Sequence, residues 1–117
     1  MRRNRILQEG ARYHVTARTN RQEMMLNNRA TKEMFLLVIK QAKDKYGFRV
    51  FNFCIMGNHV HFIIEPHKGE SLPVIMKWIL GVFAIRYNRF HKITGHMWGD
   101  RYFSSIIHTL RNFIRTF

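Results

Sequence analysis

Two histidines separated by one residue are the side chains in this sequence most able to do chemistry. His59 and His61 lie in residues 56–66, a segment rich in residues that favour strands. Because alternate residues of a strand project to the same face, both imidazoles share one face, and Val60 and Phe62 share the other. Two neutral imidazoles at this spacing are a common beginning of a divalent-cation site, which needs at least one further ligand. The alternative is a pair of histidines on a half-exposed strand that bond only to neighbouring groups or water.

The charge balance indicates a polyanionic partner. The 117 residues include 20 Lys and Arg against 7 Asp and Glu, a net charge of +13, while the hydrophobic fraction of 46% is ordinary for a folded protein. Such an excess favours binding to phosphate backbones through the release of counterions, so nucleic acid is the leading partner and an anionic membrane surface the weaker rival. The length fits one domain spanning residues 1–117.

No segment of the sequence is apolar over the roughly 20 residues that are needed to cross a bilayer. The start of the chain, Met-Arg-Arg-Asn-Arg, is not followed by the apolar core of a secretory signal. The lone Cys54 fits a reducing compartment. We therefore expect a cytoplasmic protein with no membrane partner.

Hydrophobic periodicity predicts the element order β-α-β-β-α-β. Thr31 is a candidate N-cap for the first helix, Gly47 its stop, and Ser71 with Pro73 the start of the second helix. The predicted strands are 11–19, 48–56, the histidine strand from residue 59 and 101–108, followed by a short basic helical piece over 110–117. This order is that of an α+β, ferredoxin-like sandwich, an antiparallel sheet with two helices on one face and a truncated C-terminal helix.

Strand alternation then predicts which side chains share a face. The residues expected to face the helices are Tyr13, Val15, Ala17, Phe51, Phe53, Ile55, Val60, Phe62 and Ile64. Those expected on the opposite, polar and cationic face are His14, Thr16, Arg18, Asn52, His59 and His61. A single β-bulge would reverse the assignment beyond it.

Three segments together resemble a known family. They are Tyr-His-Val-Thr-Ala-Arg at 13–18, Met-Gly-Asn-His-Val-His-Phe at 56–62 and Gly-His-Met-Trp-Gly-Asp-Arg-Tyr-Phe-Ser at 95–104. In this order they resemble the single-tyrosine HUH transposases, and within them the REP-associated tyrosine transposases. The resemblance spans nearly the whole chain, and it favours the interpretation of the histidine pair as metal ligands.

The resemblance implies an enzyme that cleaves and rejoins single-stranded, often hairpin-forming, DNA ends. In that chemistry Mg²⁺ or Mn²⁺ held by His59 and His61 polarises the scissile phosphate. A tyrosine attacks it, forming a 5′-phosphotyrosine and releasing a 3′-hydroxyl that can later rejoin strands. Some relatives are dimers, so a homodimer is one expected assembly.

The end of the sequence departs from the family pattern. The family's nucleophilic tyrosine lies in a helix after the fourth strand, in a signature that also supplies a polar metal ligand, and no matching segment occurs before Phe117. Tyr102 is a weak candidate because it belongs to a different motif, and Tyr13, Tyr46 and Tyr87 fit structural positions better. The preferred interpretation is a truncated copy that binds DNA and metal but does not cleave.

Further residues are candidates for contact with DNA. His14 and Arg18 share the histidine face, Trp98, Arg101 and Tyr102 could grip an unpaired base or phosphate, and Arg2, Arg3 and Arg5 form a basic arm. Core packing of Trp98 and a solvated terminus are the corresponding structural alternatives. Two other functions stay open: a non-catalytic ferredoxin-like module that binds nucleic acid, such as an RNA-recognition domain, and a regulatory remnant that binds hairpin DNA and blocks a full-length relative.

Overall fold

A four-stranded antiparallel sheet, in the order β2-β3-β1-β4, carries the two long helices. The computed structural model describes residues 10–99 and 101–107. The elements are β1 (Arg12–Arg18), a 3-10 turn (Asn20–Gln22), α1 (Arg29–Lys45), β2 (Phe48–Ile55), β3 (His59–Pro66), α2 (Leu72–His91) and β4 (Phe103–Ile107). The predicted ferredoxin-like α+β order is confirmed, and the predicted helical piece at 110–117 lies outside the described residues.

The two helices begin at side-chain caps. The backbone N–H of Thr31 donates to Oδ1 of Asn28 at 2.8 Å, so Asn28 caps α1 and the prediction of Thr31 as the cap is wrong. Thr31 is instead a buried residue of the first turn. The cap of α2 is Ser71, as predicted, because its Oγ accepts from the N–H of Val74 at 3.4 Å.

The hydrophobic core lies between the helices and one sheet face. Tyr13, Val15 and Ala17 of β1 are buried there, as the alternation predicts. An apolar stripe of α2 packs onto them, and the ring of Phe83 in this stripe lies against that of Phe35 from α1 with centroids 4.9 Å apart. Burial of each such side chain contributes about 1.5–3 kcal/mol, so this packing fixes which sheet face remains available for a site.

A β-bulge interrupts β2. The register with β3 shifts between Val50 and Asn52, which leaves Phe51 as the extra residue. The ring of Phe51 lies 4.0 Å from the guanidinium carbon of Arg12, a residue of the face turned away from the helices. The predicted alternation therefore holds for Ile55, which pairs with Val60, and fails at Phe51.

Two further apolar residues depart from the predicted pattern. Phe53 pairs with Phe62 but is 46% exposed, because β2 is an edge strand. Ile63 is fully buried although its pairing with His14 places it on the histidine face. That face is therefore polar and cationic with apolar patches, rather than uniformly polar.

Candidate metal and nucleic-acid site

Strand register brings the predicted site residues of β1 and β3 together. In the β1–β3 pair, Thr16 lies opposite His61, Arg18 opposite His59, and His14 opposite Ile63. Directly opposed residues of antiparallel strands project to the same face. These side chains therefore share the sheet face turned away from the helices, which we call the histidine face.

Three imidazoles meet on the histidine face. The ring centroids of His59 and His61 are 5.5 Å apart with planes inclined by 33°, and those of His14 and His61 are 5.6 Å apart with planes inclined by 76°. Nε2 of His14 lies 3.4 Å from Nδ1 of His61 and 3.5 Å from the hydroxyl oxygen of Thr16. All three histidines are half-buried. The structure thus adds His14 to the pair as a direct neighbour.

Burial and mutual repulsion lower the pKa values of two of these rings. Partial burial lowers the pKa of His14 below 6.5, and the nearby His61 lowers it further. The pKa of His61 is lowered in the same way, first by burial and then by His59. Since a metal binds the neutral imidazole, this environment extends the metal-binding form to lower pH.

Asn58 orients His59. Its Oδ1 lies 2.9 Å from Nδ1 of His59, and its Nδ2 donates to the carbonyl of Gln22 at 3.3 Å. The backbone carbonyl of Asn58 accepts from the N–H of Thr19 at 3.0 Å and from the Thr19 hydroxyl at 3.1 Å. Asn58 was not among the candidate site residues predicted from the sequence, although its position directly before His59 was a usable signal.

The donor chemistry of the pair fits a divalent cation. Metal-binding histidines typically form a hydrogen bond through the ring nitrogen that does not bind the metal, as His59 does with Asn58. Such a bond fixes the tautomer and the ring orientation. Within 10–99 and 101–107, no group of three or more His, Cys, Asp or Glu side chains has the arrangement of a metal site. His59 and His61 could therefore supply at most two of the protein ligands, and oxygen ligands from phosphate or water would be needed to complete the coordination. Imidazole suits Mn²⁺ at least as well as the harder Mg²⁺.

The other residues predicted to contact DNA do not all lie on the histidine face. Trp98 packs with Phe35 and Phe83 at centroid distances of 6.2 Å and 6.0 Å, and its Nε1 donates to the carbonyl of Leu80 at 2.9 Å. The indole is therefore engaged with the core. Arg101 lines a groove beside Arg18, and the arm formed by Arg2, Arg3 and Arg5 lies outside the described residues.

The four tyrosines of the sequence lie in or against the core. Tyr13 and Tyr87 are buried core residues, and Tyr46 and Tyr102 are half-buried and pack against the same core. Burial, and then the charge of Glu23, raise the pKa of Tyr87. Tyr102, the weak nucleophile candidate, thus contacts the hydrophobic core.

No helix in the described part of the chain is both long and apolar enough to cross a bilayer.

Comparison with known proteins identifies the family. Residues 8–114 match the model of the family described as "Transposase IS200 like", and no curated protein matches. A solved REP-associated tyrosine transposase bound to a REP hairpin superposes with a TM-score of 0.79 at 15% identity, over 98% of this chain and 67% of that one. A putative transposase from Deinococcus radiodurans R1 superposes with a TM-score of 0.68 at 18% identity, over 98% of this chain and 93% of that one. The family prediction made from the three motifs is confirmed: the chain belongs to the IS200-like transposase family.

Proposed function

We propose that the histidine face binds a single-stranded or hairpin DNA end and holds a divalent cation, Mg²⁺ or Mn²⁺, at the phosphate to be cleaved during DNA transposition. The observation that carries this proposal is the convergence of His14, His59 and His61 on the sheet face that the helices leave uncovered. We also propose that this activity takes place in the cytoplasm.

Charge and fold similarity support a DNA partner. The net charge of +13 favours a polyanion over a neutral ligand. The REP-associated tyrosine transposase, which shares this fold, is bound to a REP hairpin. Arg18, directly opposite His59, is exposed and can donate two hydrogen bonds to a phosphate that flanks the cation.

Each residue of the proposed site has a distinct role in binding the cation. When bound, the cation would stabilise the charge that develops on the phosphate oxygens. His59, with Nδ1 turned to Asn58, would supply Nε2 as a ligand, and His61, whose pKa is lowered, would supply a second imidazole. His14 restricts the ring of His61 from the side.

The packing of the tyrosines supports binding without attack. All four tyrosines pack in or against the core: Tyr13, Tyr46, Tyr87 and Tyr102. Their hydroxyl groups are therefore not positioned to attack a phosphate on the histidine face. We therefore propose that these 117 residues bind and position DNA without forming a phosphotyrosine themselves. The homodimer expected from some relatives stays a prediction, which light scattering checks.

A Mn²⁺ titration followed by electron paramagnetic resonance tests the metal site. The wild type should remove free Mn²⁺ from solution, and His59→Ala and His61→Ala should each weaken the binding about 10-fold or more, since each loses a direct ligand. His67→Ala is the matched control, because His67 is an exposed histidine in the loop after β3. Equal Mn²⁺ binding by all four proteins contradicts the proposal.

One observation favours a second candidate, a non-catalytic module that binds RNA. Phe103 lies on the histidine face and is 62% exposed. RNA-recognition domains likewise expose aromatic side chains on a sheet face, where they stack on bases. This alternative predicts binding that prefers RNA and does not depend on metal in a gel-shift assay. A preference for hairpin DNA that increases with Mn²⁺ rejects it.

A further inference from the structure

A groove of about 310 Å³ opens on the β4 side of the histidine pair. Its lining includes Arg18, Arg21, Arg101, Gly99 and Phe103. The volume is within the range of pockets that hold small ligands. Three guanidinium groups around one aromatic ring make the lining both cationic and able to stack.

Register fixes the distance from the groove to the histidines. Arg18 is the direct neighbour of His59 across β1 and β3. Phe103 of β4 lies opposite Thr16, which itself lies opposite His61. The groove is therefore one to two strand spacings, about 5–10 Å, from the histidine pair. If a phosphate of a DNA strand lies at the histidine pair, the next nucleotide of that DNA strand reaches the groove.

The side chains of the groove suit an unpaired nucleotide. Phe103 is the exposed aromatic of the groove, and the guanidinium carbon of Arg18 lies 5.8 Å from its ring centroid. Within the described residues neither Arg18 nor Arg21 takes part in an ion pair. Aromatic faces bind bases of any sequence by stacking, and arginines bind phosphates through paired donors.

A strained turn presents Arg21 to the groove. Arg21 and Gln22 have φ angles of 55° and 52°, a left-handed conformation that residues other than glycine rarely adopt. Such strain persists where surrounding contacts impose it, and it concentrates at functional sites. Here the N–H of Asn20 donates to the carbonyl of Met97 at 2.7 Å, and Asn58 Nδ2 donates to the carbonyl of Gln22 at 3.3 Å.

The opposite wall approaches this turn closely. The N–H of Gly99 donates to the carbonyl of Arg18 at 2.9 Å, and a Cβ on Gly99 would lie 3.0 Å from the backbone oxygen of Thr19. Glycine permits this approach. The groove is thus held by backbone hydrogen bonds on both walls, which indicates a preformed pocket.

We propose that this groove binds one unpaired nucleotide next to the phosphate at the histidine pair. The base stacks on Phe103, and Arg21 together with Arg18 binds the nucleotide's phosphate. The inference rests on the proposed function, because it takes the same DNA strand across the histidine face. It assigns Arg21 and Phe103, which sequence analysis did not select, as DNA-binding residues.

Fluorescence anisotropy with three hairpins tests the groove. They share one stem and carry a short single-stranded tail, the same tail with abasic nucleotides, or no tail. Phe103→Ala should weaken binding of the base-bearing tail about 5-fold or more and leave the abasic tail unchanged, whereas Phe103→Trp should retain the preference for bases. Arg21→Asn removes the charge while Asn tolerates the left-handed backbone. It should weaken both tails alike and lower the salt slope by about one.

Lys77→Gln is the matched control, because it removes one positive charge from an exposed position of α2, away from the histidine face. It should leave the ratio of tailed to untailed binding unchanged. The groove is rejected if Phe103→Ala keeps the full preference for base-bearing tails, or if Arg21→Asn changes the tail binding no more than Lys77→Gln. If the wild type still binds the hairpin and Mn²⁺, such a result rejects the groove alone and leaves the proposed function standing. A wild type that binds no hairpin overturns the proposed function together with the groove.

Discussion

Oδ1 of Asn58 lies 2.9 Å from Nδ1 of His59, the next residue in the chain. An amide oxygen only accepts hydrogen bonds, so this contact places the imidazole proton on Nδ1 and the lone pair on Nε2. The same amide donates to the carbonyl of Gln22, in the strained turn that presents Arg21. One side chain therefore links the histidine pair to the neighbouring groove.

Removing the amide should weaken metal binding. Asn58→Ala leaves His59 free to adopt either tautomer, and loss of such an orienting contact typically reduces metal affinity about 10-fold or more. Asn58→Asp retains an acceptor for Nδ1–H and should keep most of the affinity. Calorimetric titration with Mn²⁺ measures both variants, and an unchanged affinity in Asn58→Ala contradicts the positioning role.

The metal-free protein should lose stability in mild acid. Because the pKa values of His14 and His61 are lowered from 6.5, the unfolded chain binds more protons than the native chain just below that pH. The free energy of unfolding therefore falls as the pH drops through about 6.5, and it levels off below the native pKa values. Urea unfolding across this range measures the slope, which His14→Gln should reduce. An equal slope in that variant contradicts the assignment.

Trp98 should matter for folding rather than for DNA. Trp98→Phe removes the indole donor to the carbonyl of Leu80 and loosens the contacts with Phe35 and Phe83, so we expect a loss of about 1–3 kcal/mol in the free energy of unfolding. Urea unfolding measures this change, and anisotropy checks that the tailed hairpin still binds. Normal stability with weakened binding of the tail would instead place the indole against DNA.

Tyr102 should not form a covalent bond with DNA. A suicide hairpin substrate, nicked so that a cleaved strand is lost, traps any phosphotyrosine as an adduct visible by denaturing electrophoresis. Because Tyr102 packs against the core, we expect no adduct from the wild type or from Tyr102→Phe. An adduct that forms with the wild type and disappears in Tyr102→Phe refutes the proposed binding role without attack.

Periodicity predicts the parts of this fold that depend on regular strands and helices. The burial of Tyr13, Val15 and Ala17 follows directly from the alternation in β1, and the same alternation brings His59 and His61 to one face. Phe51 does not follow the pattern, because one inserted residue changes the facing of a strand without leaving a signal in residue types.

The finer parts of the site depend on contacts between distant segments. The groove forms only because the turn at Arg21 lies close to Gly99. These residues are far apart in the sequence, and no local pattern predicts that they come together. By residue type Trp98 is compatible with both base stacking and core packing. Its ring contacts with Phe35 and Phe83 and its hydrogen bond to Leu80 favour core packing. Asn28 rather than Thr31 caps α1, because two polar residues close together are both acceptable caps by type.

Paramagnetic broadening by Mn²⁺ in amide NMR spectra tests the central claim most directly, because it locates the bound cation. We predict that signals of Thr16, Arg18, His59 and His61 broaden first, that Lys77 of α2 stays sharp, and that His61→Ala abolishes the local effect. Broadening centred on another part of the molecule, or unchanged broadening in His61→Ala, would contradict a cation site on the histidine face.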